Sequence, residues 1–288
     1  MIVVRLCGGL GNQLFQYAVG RRLAVARGAE LVLDLGWYER TPPSDTPRPY
    51  ELGHYPIQAR TATPAEALWC RLHEGRLLRR LPFLPRRWRH CREKGFEFDP
   101  LILDLPDGIY LDGYWQSHRY FEEIAVLIRA ELTPAARFGA QDDKVATMIA
   151  AGNAVSVHVR RGDYVTHQMA AQTHGLCSLD YYMAALAQVQ SRVKQPHFFV
   201  FSDDPAWTRE NLPLPGIATF VDHNGPADAF QDLRLMSLCD HQITANSSFS
   251  WWGAWLNTRP NKIVVTPRQW FAKQQDLASL TPDNWIRL

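Results

Sequence analysis

From residue 154 onward the chain alternates, almost without interruption, between short apolar runs and stretches of helical period. Ala154-Val155-Ser156-Val157-His158-Val159, His197–Phe201, Ile217–Val221, His241–Thr244 and Lys262–Thr266 read as strands. Between them, Leu179–Val193, residues 205–212, Ala227–Cys239 and Phe249–Leu256 read as helices. Helix after strand after helix leaves no room for hairpins, because each return to the sheet is a crossover. The alternation therefore predicts a parallel sheet.

The start of the chain repeats this grammar. Ile2–Leu6 is a strand, Cys7-Gly8-Gly9-Leu10-Gly11-Asn12-Gln13 a tight glycine loop, Leu14–Arg27 a helix and Glu30–Asp34 a second strand. Such a unit is the first half of a doubly wound sheet. Residues 36–64 are rich in proline and aromatics, lack periodicity and read as loop. Ile109–Tyr114 is a further strand, Arg119–Leu132 a helix and Lys144–Ala151 a short one. Pro134 and the polar stretch to Asp143 form the best boundary. The expected architecture is α/β: two Rossmann-like halves, residues 1–140 and 141–270, facing across a cleft. Residues 271–288 are expected to be a tail packing back on the first half.

Composition narrows the function. At 288 residues the chain can bury the cores of two domains, and 46% hydrophobic with 21% charged residues is a globular balance. A formal net charge of +2 gives no argument for nucleic acid, which is not expected as a partner. Five cysteines without a CxxC pair or zinc spacing indicate free thiols in a reducing compartment. No apolar run approaches the ~18–20 residues needed to cross a bilayer. Met1 leads directly into a strand, so a cytoplasmic location is expected. There is no Asp-x-Asp and no His-Glu-x-x-His, so neither metal nor cofactor is expected. Residues 66–94 hold nine basic residues, among them Arg79, Arg80, Arg86 and Arg87, interleaved with Trp69, Trp88 and leucines. This segment is either an ordinary solvated helical face or a peripheral contact with the inner face of the membrane.

The candidate functional residues stand where strands end. After Val155–Val159, with His158 inside the strand, come Arg160, Arg161, Gly162 and Asp163. Two adjacent guanidiniums suit a diphosphate, since each is always charged and grips oxygens bidentately. The competing reading is a surface arginine paired with Asp163. Asp203, ending another strand, can accept paired hydrogen bonds from guanine, whereas Asp204 before Pro205 reads as a helix cap. Asn246-Ser247-Ser248-Phe249 leads from a strand into a helix, whose N-terminal amides make an anion site. Gly9-x-Gly11 imitates a dinucleotide fingerprint, but Leu14 stands where that motif needs a small residue, which counts against an oxidoreductase. The loop is better placed to bring amides and Asn12 up to a ligand.

Three stretches taken together resemble the bacterial α-1,2-fucosyltransferases of glycosyltransferase family 11. They are Gly8-Gly9-Leu10-Gly11-Asn12-Gln13-Leu14-Phe15-Gln16-Tyr17-Ala18, His158-Val159-Arg160-Arg161-Gly162-Asp163-Tyr164 and Asn246-Ser247-Ser248-Phe249-Ser250-Trp251-Trp252-Gly253. The resemblance implies a GT-B fold, GDP-β-L-fucose as donor, no metal, and inversion to an α-1,2 linkage on galactose. It implies that Arg160 holds the β-phosphate and that His158 and Asp203 hold the guanosine. Ser247, Ser248 and Phe249 would line the phosphates and base, and Asn12 would lie near the reacting fucose. The acceptor would be a galactose-containing oligosaccharide or a lipid-linked glycan. Asp163, the carboxylate inside these stretches, is either the general base or a residue that orients the arginines. A transferase for another GDP-sugar and a non-catalytic nucleotide-sugar-binding protein remain alternatives.

Overall fold

The computed structural model describes residues 1–42, 45–68, 89–162, 175–271 and 279–288. They form two compact units, Met1–Thr133 and Pro134–Leu288. Each is built on a sheet whose strands pair only in parallel, as the alternation requires.

The first unit orders its strands β3-β2-β1-β5-β4, with β1 Ile2–Arg5, β2 Leu31–Asp34, β3 Arg60–Thr61, β4 Arg89–Arg92 and β5 Ile109–Asp112. Helix α1 runs from Leu10 to Arg27, starting four residues before the expected Leu14. The reason is local: Gly9 sits extended at the N-cap and its carbonyl accepts the Asn12 and Gln13 amides, so half of the expected loop is the first helical turn. The helix ends at Gly28 in the left-handed conformation, whose amide closes back onto the last turn. Close helix–strand approach occurs at Gly20, where a β-carbon would stand 2.3 Å from Val4 Cγ2 and 2.9 Å from Leu31 Cδ1. The expected helix over Arg119–Leu132 is shorter: two 3-10 turns precede α2, Ala125–Glu131.

The second unit orders its strands β11-β10-β9-β6-β7-β8. These are β6 Ala154–Val159, β7 His197–Ser202, β8 Ile217–Val221, β9 His241–Ile243, β10 Val264–Thr266 and β11 Ile286–Arg287. The helices are α3 Ala140–Ala150, α4 Leu179–Gln190, α5 Pro205–Asn211, α6 Ala229–Leu238 and α7 Ser248–Leu256. Val155, Val157 and Val159 of β6 pack with Phe198 and Val200 under Tyr182, Leu186 and Val189 of α4. On the other face Phe199 and Phe201 meet Val145 and Ile149 of α3 and Leu235 and Met236 of α6. Helices thus cover both faces, which is why β6 is buried throughout.

Two expectations are corrected. The described residues of the tail belong to the second unit: Ile286–Arg287 pairs with β10, and the Trp251 indole donates to the Leu280 carbonyl at 2.8 Å. Its apolar residues find their core there, with Trp285 packed on Trp251. Within the basic segment, Arg89–Arg92 is not helical but forms β4, paired with β5. Residues 69–88, most of that segment, lie outside the described residues, as does Asp163.

The topology positions the site. In each sheet the chain first winds one way and then restarts on the other side of its first strand, at β1/β5 and at β6/β9. Ligands of open α/β sheets bind beyond the carboxyl ends of strands at such a switch point. The glycine loop follows β1, the arginine loop follows β6, and Asn246–Ser248 follows β9.

Candidate active site

In the second unit, β6 and β7 are paired so that Val159 lies opposite Ser202, which brings Arg160 level with Asp203. The Asp203 carboxylate gathers the described residues of the arginine loop. Its Oδ2 lies 2.8 Å from Arg160 Nη1, and the amides of Arg161 and Gly162 donate to its two oxygens at 2.8 and 2.9 Å. Residue 162 must be glycine here, because a β-carbon would stand 2.7 Å from Asp203 Oδ2. Asp203, expected at the guanosine, therefore has both oxygens engaged in shaping the loop.

Arg161 behaves differently. Its guanidinium lies over the Trp207 ring at 3.4 Å from the centroid. Its buried Nε is 3.7 Å from Asp204 Oδ2, too far for a hydrogen bond, and has no hydrogen-bond partner. Asp204 caps α5 by accepting the Trp207 amide at 3.2 Å, with Pro205 at the first helical position.

His158 points to the same strand end. It is only 6% exposed, its Nδ1 has no hydrogen-bond partner, and its ring lies 5.7 Å from that of Phe249. Burial pushes its pKa down to about 4, with Asp203 opposing and Arg160 reinforcing the shift, so the imidazole is neutral at pH 7. An unsatisfied nitrogen in that setting costs about 1–3 kcal/mol unless a ligand meets it.

At the end of β9, Asn246 is consumed by structure: it donates to the Gly175 and Trp270 carbonyls at 3.3 Å each and accepts the Cys177 thiol. Ser247 is the extended N-cap of α7 and makes no side-chain cap bond. Ser250 closes the turn instead, accepting the Ala245 amide at 3.2 Å. The N-terminus of α7 carries the helix's partial positive charge beside His158 and Phe249, and buried Trp251 and Trp252 fix the helix in place.

In the first unit Gly8 has φ +76°, and a β-carbon there would stand 2.6 Å from Asn12 Nδ2. Gln13 donates to the Gly8 and Pro49 carbonyls and accepts the Glu51 amide, while Gln16 accepts the Cys7 amide and donates to the Gly113 carbonyl. These buried glutamines are staples of the loop. Gln116 donates to Asn12 Oδ1 at 2.9 Å. Beside the loop, at the ends of β1, β4 and β5, lies a cavity of about 310 Å³ lined by Arg5, Cys7, Arg92, Glu93, Phe96, Asp112 and Tyr114 among others. Arg5 pairs with Asp112 at 2.9 Å. Burial raises Glu93 to about 7, against the opposing pull of the Tyr114 and Trp115 amides.

Against known proteins, residues 83–288 match Glycosyl transferase family 11. The chain belongs to that family. An Escherichia coli alpha-1,2-colitosyltransferase is 33% identical over 303 residues, covering 100% of this chain and 99% of its own. A galactoside alpha-(1,2)-fucosyltransferase 1 from Ateles belzebuth is 28% identical over 179 residues, covering 59% of this chain and 48% of its own. The crystal structure of NodZ alpha-1,6-fucosyltransferase soaked with GDP-fucose superposes with a TM-score of 0.51 at 16% identity, covering 92% of this chain and 94% of that one. That likeness bears on the fold alone, and agrees with two Rossmann-like parallel sheets of the GT-B class.

In this family 11 glycosyltransferase, then, His158, Arg160, Arg161, Asp203, Ser247, Ser248 and Phe249 gather where β6, β7 and β9 end. Gly9, Gly11 and Asn12 stand at the corresponding switch point of the first unit. Trp207, the platform for Arg161, was missed by sequence reasoning, although a tryptophan three residues beyond the Asp204 cap was visible. Glu93 and Gln116 were also missed; neither lies in a motif, and it is the pairing of β5 with β1 and of β4 with β5 that brings them to the glycine loop.

Proposed function

We propose that this glycosyltransferase moves L-fucose from GDP-β-L-fucose to the 2-hydroxyl of a galactoside, inverting the donor to an α-1,2 linkage. The observation that carries the reading is the Arg160–Asp203 pair at the switch point, beside a helix N-terminus and a neutral buried histidine. In this mechanism the bond from fucose C1 to the β-phosphate oxygen breaks and its electrons remain on the phosphate. Arg160 and the amides of α7 neutralise the charge developing there. His158 offers a neutral ring nitrogen to the nucleotide, and Arg161 on Trp207 forms a rigid wall. The acceptor 2-hydroxyl attacks C1 and gives up its proton, with Asp163 as either its base or an orienter of the arginines. Asn12 belongs to the sugar side of the reaction. No metal takes part.

A second reading is favoured by the colitosyltransferase likeness, which spans the whole chain. Colitose is L-fucose without the 3-hydroxyl, so the two donors differ by one hydrogen-bonding group. The deciding experiment offers GDP-fucose, GDP-colitose and GDP-mannose in parallel, with β-galactoside acceptors and EDTA present, and reads the product linkage by NMR. Fucosyl transfer to O2 with undiminished rate in EDTA is expected. Preference for GDP-colitose would replace the donor assignment, and GDP binding without any transfer would make this a binding protein.

A further inference from the structure

The turn after β5 is held in a conformation its residues do not favour. Trp115 has φ +56°, the left-handed region in which a bulky residue is strained by about 1–3 kcal/mol. It is nevertheless only 1% exposed, with its ring edge-on to Tyr120. One side chain that grips this backbone comes from just beyond the neighbouring strand. Glu93 follows β4, and its carboxylate accepts the Tyr114 amide at 2.6 Å and the Trp115 amide at 2.9 Å. Gly113 makes room for it: a β-carbon there would stand 2.4 Å from Glu93 Cβ and 2.8 Å from its Oε2. The next residue, Gln116, donates to Asn12 Oδ1 at 2.9 Å, and Asn12 packs against Gly8 at the head of α1.

We infer that Glu93 is a positioning residue for glycosyl transfer: by gripping the backbone of Tyr114 and Trp115 it aims Gln116, and Gln116 holds Asn12 in its working orientation. This role rests on the assignment of Asn12 to the sugar side of the reaction. In its ionised form the carboxylate suits the task, because both of its oxygens are then acceptors. A glutamine in its place would turn an N–H toward one of the two amides.

The test compares Glu93→Gln, Gln116→Ala and the double variant with the wild type, reading kcat, the KM for GDP-fucose and backbone hydrogen exchange of residues 113–117. Small misplacements of a positioning group cost up to about 100-fold in rate. Glu93→Gln is expected to lower kcat by on the order of 10- to 100-fold, with KM for the donor within about twofold and with faster exchange at 113–117. The double variant is expected to be no slower than the worse single one, because both act through one chain of contacts. A kcat within about twofold of wild type, or losses that simply multiply, would overturn the inference. Should Glu93→Gln not fold, Gly113→Ala displaces the same carboxylate and takes its place in the cycle. If the wild type transfers none of the offered sugars, the functional reading has failed by itself. The exchange measurement still decides whether Glu93 orders the turn, and unchanged exchange rejects it.

Discussion

At the residue scale the arginine loop separates two adjacent arginines into two jobs. Arg160 is aligned by Asp203 and carries the transition-state charge in the proposed reaction, whereas Arg161 is laid flat on Trp207. Removing a preorganised electrostatic group of the first kind costs on the order of 10²–10³ in rate. Arg160→Ala is expected to lose that much kcat with its melting temperature nearly unchanged, and Arg160→Lys to recover little because the planar fork is gone. Near-normal turnover of a folded Arg160→Ala protein would remove the clamp. The two arginines were legible as a pair in the sequence, but their division of labour was not. It depends on which side chain each one meets across the β6–β7 pairing and at the start of α5.

At the element scale, each switch point has a helix that follows a strand end and is anchored by its own packing. For α7 the anchor is aromatic: Trp251, Trp252 and Trp255 pack on one another within the helix, and Trp251 meets the Trp285 ring and the Leu280 carbonyl. For α1 it is the absence of a side chain at Gly20, on the face toward Val4 and Leu31. Overpacking of this kind costs typically about 1–3 kcal/mol. Gly20→Val is expected to lower the urea midpoint accordingly and to shift the glycine loop, raising KM; a variant as stable as wild type would show that the helix can slide aside. The sequence pointed to Leu14 as the obstacle to close packing, nearly two turns before Gly20. A helix touches its sheet where its axis crosses the strand, and that crossing depends on the tilt set by the whole core.

At the scale of the whole molecule, the unusual titrations set a pH window for stability. Burial raises Glu51 and Glu93 in the first unit and Asp232 in the second to about 7 each. In the unfolded chain such groups titrate near 4 (about 3.9 for Asp and 4.3 for Glu). The folded protein therefore keeps protons that the unfolded chain has released, and stability falls as pH rises toward and through 7. His158, His197 and His241 work in the opposite sense, since burial lowers them and the folded state gains as pH rises to about 6.5. From pH 6.5 to 8 these histidines add only the remainder of their titration, so among these groups the carboxyls dominate. Thermal midpoints are expected to decline from pH 6.5 to 8, with a shallower decline in Asp232→Asn; a midpoint that rises over this interval would contradict the burial of these groups.

The sequence by itself determined the local pieces and their chemistry: the strand–helix alternation that demands parallel sheets, the glycines that start α1, and the polar residues at three strand ends. It did so because period, turn chemistry and charge are properties of neighbours along the chain. The tertiary structure decided everything that depends on neighbours across it. It set β5 beside β1, so that Glu93 and Gln116 reach the glycine loop, and it set Asp203 beside Arg160 rather than leaving it for a ligand alone. It also drew the last strand into the second sheet. Such pairings are chosen by the burial of two cores whose residues lie tens to more than a hundred positions apart, and no local pattern records that choice.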